Sequence, residues 1–450
     1  MAANADTVLN AMTLNDQRAP VDSNGIAELA KSAADLNLMI RNSATHPTHR
    51  KTLRKFVGAE VAALLDLKVE TFYRRLDRHP ELPQGATPNP RRREFTLEEA
   101  FAIRDAFKLP PKRAPDQPGL IVSICNFKGG VAKTTTAAHL AQYLVMHGYR
   151  VLLVDLDAQA SLTQLFGILP HTEVGDQETV RTFLEGPNFG GVPNPDWTGD
   201  LRSVVQTTHW PNLDLIPSNL GVYGSEFAIA ARLRDEEGFA FHRPLADGLA
   251  PLRKDYDVIL LDTAPSLSFV NSNAMFAADG LLITLPPAMI DLQSSSLFFE
   301  LVAELMDAFN RSEPTPKTYD FVSVLLTRVR PNDATHSQIT KWIRHSFPEE
   351  TCAHSMVQSS ALEKVGPELL TLYEVSDYDG DRRTLERAID AMNNVNGEVE
   401  LLIRRALDAA AGVAPTSGPS TSSASAESSA DASSESSVDF PAALDAGVEA

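Results

Sequence analysis

LIVSICNFKGGVAKTTT, Leu120–Thr136, decides how the rest of the chain is read. A continuous apolar run, the mark of a strand covered on both faces, passes into a Lys-Gly-Gly loop and then into a helical stretch near Thr134–His147. A strand, a glycine loop and a helix in that order supply a nest of backbone N–H groups and the positive end of a helix dipole, which together hold phosphate oxygens. Gly129 and Gly130 let the backbone approach an anion without a Cβ clash. Lys133 stands where it reaches β- and γ-phosphates, and Thr134 where its hydroxyl ligates Mg2+. The ordinary pattern G-x-x-x-x-G-K-[ST] is not met, because Phe127 and Ala132 occupy its two glycine positions. What remains is KGGxxKT, with a second lysine, Lys128, at the start of the loop.

Working outward, VLLVDLD, LDLIP, YDVILLD, GLLITLP and FVSVLLT are further apolar runs of strand length. Helical stretches lie near Ser266–Ala278, Gln293–Asn310, Ser337–Ser346 and 384–410. The alternation predicts an α/β fold, a doubly wound and mainly parallel sheet over residues 120–410. Two strands end in carboxylates, Asp155 and Asp157 in VLLVDLDAQAS and Asp262 in YDVILLDTAPS. Ligands of open α/β sheets bind outside the carboxyl ends of the strands, so these aspartates and the loop are expected to converge. Asp262 is suited to hold Mg2+ through water, and Asp157 to orient an attacking water. A lone aspartate at a strand end is more often a turn or cap residue, but three behind a phosphate loop favour the ligand reading.

The 450 residues, 43% hydrophobic and 22% charged, are ordinary for a soluble globular protein of two to three domains. No apolar run reaches the length that spans a bilayer, and the opening MAANADTVLNAMTLNDQ has no basic n-region, so neither a membrane protein nor a secretory signal is expected. Two cysteines exclude a disulfide framework and point to the reducing cytoplasm. The net charge of −19 argues against nucleic acid until its distribution is considered. Residues 50–113 carry 15 Lys and Arg against 9 Asp and Glu, whereas residues 411–450 carry none against 6. A basic block joined to an acidic body suggests one dedicated nucleic-acid module. The expected organisation is an N-terminal helical extension (1–49), a small helical winged helix–turn–helix domain (50–107), a Pro-rich linker (108–119), the phosphate-binding α/β domain (120–410) and a Ser/Ala/acidic tail (411–450) too poor in apolar surface to fold.

Within the basic block, Val57–Arg78 reads as two short crossed helices with a turn at Asp66-Leu67-Lys68. The second helix is expected to present Thr71, Tyr73, Arg74, Arg75 and Arg78 to a major groove. Arg91, Arg92 and Arg93 fall at a wing tip, suited to phosphate or minor-groove contact, ahead of a capping box at Thr96–Glu99. The competing reading is a solvated helical hairpin with surface arginines, since helix–turn–helix patterns are loose.

NFKGGVAKTTTAAHLAQYLVMHGYRVLLVDLDAQASLTQLFG, followed by YDVILLDTAPSLSFVNSNAMFAAD, resembles the ParA family of DNA-partition ATPases, with deviant Walker motifs. LLTRVRPND and ALEKVGPELLTLYEV bring it nearest to the RepA partition proteins of repABC-type plasmids. The resemblance implies ATP and ADP as ligands with Mg2+, and an ATP-sandwich homodimer in which Lys128 reaches the partner subunit's phosphates. It assigns the phosphate cradle to Lys128, Gly129, Gly130, Val131, Ala132, Lys133, Thr134 and Thr135, the metal to Thr134 and Asp262, and catalysis to Lys128 and Asp157. The chain departs from the family at Ala132, where glycine is usual. The resemblance further implies non-specific DNA binding by the dimer, hydrolysis stimulated by a ParB/RepB-type partner, autorepression through the N-terminal domain, and a cytoplasmic, nucleoid-associated protein.

Three rivals compete with this reading. A MinD-like positioning ATPase needs a C-terminal basic amphipathic helix, where this chain has an acidic serine tail. An iron–sulfur reductase does not suit the settings of Cys125 and Cys352. A transcriptional repressor that only senses nucleotide differs from a partition ATPase in turnover. His139 and His147 read as packed or solvent-facing rather than as ligands.

Overall fold

Val61, Phe72, Leu76, Phe95 and Ile103 are fully buried, and their spacing explains the folding of the residues before the linker. The computed structural model describes residues 21–44, 51–89, 92–189, 192–193, 197 and 199–412. Arg91 and the stretch from 413 onward, which holds nearly all of the expected tail, lie outside the described residues. A first helix, α1 (Ser23–Ala44), is followed by β1 (Phe56–Val57), α2 (Gly58–Leu64), α3 (Val69–Leu76), β2 (Ala86–Asn89), β3 (Arg92–Phe95) and α4 (Leu97–Ala106). The three strands form an antiparallel sheet in the order β1-β3-β2. Asp66 takes the left-handed conformation, φ 54°, where the chain turns from α2 into α3. Thr96 and Glu99 close a reciprocal capping box at the start of α4, with Glu99 N–H donating to Thr96 Oγ1 (3.2 Å) and Thr96 N–H to Glu99 Oε2 (2.8 Å).

The Pro-rich segment is tied to the body. Arg113 is buried, and its guanidinium donates to Asp257 Oδ1 (2.9 Å) and to the carbonyls of Gln117 and Lys254. The Gln117 amide donates to the Leu407 carbonyl. One continuous apolar core takes in Phe56, Phe72 and Ile103 together with Leu140, Leu144 and Ile403 of the larger body.

That body is built on seven strands. They are β4 (Leu120–Cys125), β5 (Val151–Asp155), β6 (Gln206–Thr207), β7 (Leu213–Ile216), β8 (Val258–Asp262), β9 (Gly280–Leu285) and β10 (Phe321–Leu326), in the spatial order β10-β9-β4-β8-β5-β7-β6. All pairings are parallel except β6 with β7, which is antiparallel. The six longer strands are the six apolar runs of the sequence; β6 is a two-residue polar edge that such runs do not reveal. Helices pack on both faces, chiefly α5 (Lys133–Met146), α6 (Phe269–Ala277), α7 (Met289–Ser312), α8 (Ala334–Ser346) and α9 (Arg382–Ala410). α5 is buried along most of its length, and α9 lies across it, burying Met392, Val395, Val399 and Ile403. The doubly wound sheet is therefore present, and the strand order reverses at β4, the strand that feeds the glycine loop.

Candidate functional site

β4 delivers Asn126, whose side chain fixes the entry to the loop by donating to the Thr284 carbonyl (2.7 Å) and accepting from Lys128 N–H (3.0 Å). Gly130 (φ 74°) and Ala132 (φ 66°) are both left-handed, and such residues wrap a loop so that successive N–H groups turn toward one point. A Cβ on Gly129 would meet nothing nearer than Pro265 at 3.7 Å, so the loop borders open space of the kind an anion needs. From the far side, Thr327 Oγ1 donates to the Val131 carbonyl (3.0 Å) and the Arg328 guanidinium to the Gly130 carbonyl (2.7 Å). Ala132 is the residue before α5, and Thr136 Oγ1 donates back to its carbonyl (2.7 Å).

The two loop lysines diverge. Lys133 is buried and donates to the Lys128 carbonyl (2.8 Å). Burial lowers its pKa, while the charges of Asp262 and Asp157 oppose that shift. Lys128 instead leaves the loop for the first turn of α7, where its ammonium donates to Asp291 Oδ1 (2.8 Å) and the Ile290 carbonyl (2.7 Å).

Behind the loop, register sets the carboxylates side by side. Asp262 on β8 is paired with Asp155 on β5 and with Ile124 on β4. Asp155 is fully buried and accepts from Thr163 N–H (2.9 Å), Thr163 Oγ1 (2.7 Å) and Asp157 N–H (3.1 Å). Burial nevertheless pushes its pKa up to about 7. Asp262 is equally buried, and neither of its carboxylate oxygens has a full hydrogen bond. Burial first, and the neighbouring Asp155 second, hold its pKa well above the ordinary range, while Thr134 and Lys133 temper the shift from the loop side. Two unpartnered acidic oxygens beside a threonine hydroxyl and an anion loop fit a hard divalent cation such as Mg2+. Asp157 is half-buried, with one oxygen accepting from Gln159 N–H (2.9 Å).

Lys128–Thr135, Asp157 and Asp262 thus stand at the carboxyl ends of β4, β5 and β8, although the Lys128 ammonium turns to α7. Sequence reasoning gave no site role to Asn126, Thr327, Arg328 or Asp291. The first three follow apolar strands, so the strand-end rule that found the aspartates could have found them too. Cys125 and Cys352 are both buried with free thiols, and His139 is a packed neutral imidazole whose pKa burial lowers to about 4.

In the N-terminal module, Thr71, Arg74, Arg75 and Arg78 follow the i, i+3, i+4, i+7 spacing of one helical face, and the three arginines are exposed. Tyr73 lies off that face. Its hydroxyl packs on Gly58, where a Cβ would come within 2.0 Å of it, and the Arg93 guanidinium sits 5.4 Å above its ring. Arg93 also stands 3.8 Å from Asp77, Arg92 pairs with Glu94 (2.9 Å), and Arg75 leans over Phe107 (5.7 Å).

Fold and site together define a nucleotide-binding α/β protein of the P-loop kind. The AAA domain family matches residues 119–313. A Rhizobium rhizogenes protein named as a replication protein A is 33% identical over 397 residues, covering 85% of this chain and 96% of that one. SopA of Escherichia coli is 28% identical over 298 residues, 65% of this chain and 73% of that one. A solved partition protein, 19% identical, shares the fold at a TM-score of 0.58 over 85% of this chain and 99% of its own. The chain belongs to the ParA family of partition ATPases, and its relatives include proteins of the RepA kind.

Proposed function

We propose that this chain is a Mg2+-dependent ATPase that partitions a plasmid or secondary chromosome, switching between a monomer and an ATP-bound dimer. The observation that carries the reading is the unpartnered Asp262 carboxylate beside Lys133, behind the Gly129–Ala132 loop.

The triphosphate takes the place that the Lys128 carbonyl now holds on the Lys133 ammonium, a trade of a neutral acceptor for a charged one. The nucleoside enters the adjoining cleft of about 260 Å³, lined by Thr135, Arg328, Met356, Gln358 and Leu362. Thr134 and Asp262 hold Mg2+, which when bound neutralises charge on the β- and γ-phosphates. Asp157 orients a water in line with the γ-phosphorus. The water oxygen attacks, the bond between the γ-phosphorus and the bridging oxygen breaks, and ADP and phosphate leave. Lys133 and the loop N–H groups, already fixed in position, stabilise the charge that develops on the phosphate oxygens in the transition state, the main source of rate in such transfers. Lys128 acts across the dimer on the partner subunit's phosphates.

The dimer binds DNA without sequence preference, and a ParB/RepB-type partner stimulates hydrolysis and so releases it over the nucleoid. The N-terminal module acts as the operator reader, with Arg74 and Arg78 on its open face, and represses its own operon. Lys341 and Arg344 are candidate non-specific contacts; both are exposed, though Arg344 also donates to the Ala353 carbonyl (2.6 Å). Against a MinD-like role, α9 spends its apolar face on α5, and the stretch of sequence after it is acidic and serine-rich rather than basic.

The test is phosphate release with Mg2+ and ATP, with and without DNA. Slow turnover that rises with DNA is expected, with Lys133→Ala losing nucleotide and Asp157→Ala keeping nucleotide but not turnover. Tight ATP binding with no turnover under any condition would favour the nucleotide-sensing repressor.

A further inference from the structure

We infer that Asp291 is a latch on Lys128, holding it within its own subunit and setting how much nucleotide-bound protein is needed before two copies pair. The inference rests on the reading above, in which Lys128 reaches the partner's phosphates.

Lys128 and Asp291 are 163 positions apart, yet the Lys128 ammonium donates twice at the start of α7, to Asp291 Oδ1 at 2.8 Å and to the Ile290 carbonyl at 2.7 Å. Both side chains are largely withdrawn from water, 29% and 16% exposed, so the pair is less screened than an ion pair on an open surface. An ammonium so placed cannot extend to a second subunit. The hold is also built to give way. A cation in the first turn of a helix opposes the helix dipole, and Asp291 is the carboxylate in that turn. A triphosphate offers several negative charges where Asp291 offers one.

The same loop supplies a trigger. Lys133 donates to the carbonyl of Lys128 itself (2.8 Å), so capture of Lys133 by phosphate frees the backbone of the residue whose side chain is latched. Met289 and Ile290 flank the latch with exposed apolar side chains, which places it on a surface open to a second copy. When only unlatched subunits can pair, the apparent dimer constant weakens by the square of the unlatched fraction, because each of the two subunits must be released.

Light scattering across a concentration series, with a slowly hydrolysed ATP analogue and Mg2+, tests the latch. Asp291→Asn, which keeps the shape and removes the charge, is expected to half-dimerise at about three- to tenfold lower protein concentration than the parent. Asp291→Glu keeps a carboxylate and should restore the parental threshold. Lys128→Ala should not pair, and Lys128→Ala with Asp291→Asn should gain nothing, because the latch acts only through that lysine. Asp291→Ser serves as a second charge-removing variant, with thermal melts and fluorescent-nucleotide binding to check that each monomer is intact. Unchanged or weaker pairing of folded Asp291→Asn and Asp291→Ser, beside a parent that pairs with nucleotide, overturns the latch alone. A parent that does not pair with nucleotide overturns the sandwich reading itself, and the latch with it.

Discussion

Asp155 and Asp262 stand directly opposite each other in register on adjacent parallel strands, both fully buried, and only Asp155 accepts full hydrogen bonds. Two carboxylates this close titrate as a pair. Burial raises both, Asp155 to about 7, so the folded protein keeps a proton at pH values where the unfolded chain has lost it. The sign follows from linkage: this pair favours folding at the acid end, and stability declines as pH rises from the ordinary 3.8 toward 7. With a metal chelator present, the urea midpoint of Asp262→Asn should fall less between pH 4.5 and 7.5 than that of the parent. At pH 7.5 the variant should be the more stable by about 1–3 kcal/mol, because one buried uncompensated charge is gone. Mg2+ should raise the parent's midpoint and leave the variant's unmoved. Identical pH slopes in both proteins would refute the paired-proton account.

Ala132 carries a strain that its sequence position hides. At φ 66° and ψ 29° its Cβ crowds the neighbouring carbonyl, a cost of roughly 1–2 kcal/mol in an L-residue. Glycine avoids the clash but loses more entropy on folding, roughly 0.5–1 kcal/mol. Ala132→Gly is therefore expected to stabilise the nucleotide-free protein by about 0.5–1 kcal/mol, measured by chemical denaturation. A destabilised variant would mean that the loop relaxes away from the left-handed conformation in solution.

Glu374 gathers the N-terminal segment onto the body. It accepts from Lys51 Nζ (3.0 Å), Trp210 Nε1 (3.1 Å) and Thr371 N–H (2.9 Å), and lies 2.5 Å from His209 Nε2. Burial alone would raise its pKa, but the His209 hydrogen bond and the Lys51 charge outweigh burial and bring it to about 2. A depressed carboxylate stabilises fully above 4.5, and the gain drains away as pH falls toward 2. Glu374→Gln should cost about 3–5 kcal/mol at pH 7, since it leaves the Lys51 charge buried without its partner. The gap should narrow in acid. A gap that stays constant from pH 6 to pH 3 would show that the loss is one of packing.

How much of this was readable in advance depends on whether a feature is local. β4, β5, β7, β8, β9 and β10 are buried on both faces, so each leaves an uninterrupted apolar run, and the aspartates follow from where those runs stop. The sequence pattern starts α7 at Gln293, whereas the helix begins at Met289. Ala288 has no capping side chain and Met289 and Ile290 are exposed, so neither a cap nor apolar periodicity marks that turn. Asp291 was hidden with it. The Lys128–Asp291 and Lys51–Glu374 pairs join residues 163 and 323 positions apart, and no spacing rule reaches that far. Tyr73 is the opposite case, because counting around α3 from Thr71 already turns it away from the arginine face.

The proposed operator reader is best tested by point substitution. Lys51 and Arg54 donate to Glu374 and the Tyr373 carbonyl, and the module's apolar core runs into that of the body, so deleting residues 1–113 would expose surface as well as remove a DNA contact. Arg74 and Arg78 are exposed and share the helical spacing of Thr71, and in the proposed reading each meets a base edge or a phosphate. Arg74→Ala or Arg78→Ala should cost about 1–3 kcal/mol of operator affinity where a base edge is read, with a smaller loss on scrambled DNA. Arg92→Ala should instead lower affinity on both sequences alike and flatten the salt dependence, as loss of a phosphate contact does. Tyr73→Phe should leave operator affinity unchanged, since its hydroxyl faces Gly58. Anisotropy titrations at several salt concentrations, on operator and scrambled duplexes, separate these outcomes. Equal losses on both duplexes for Arg74→Ala and Arg78→Ala would reduce the α3 face to a general phosphate contact, and the sequence-specific half of the function would have to come from elsewhere in the chain.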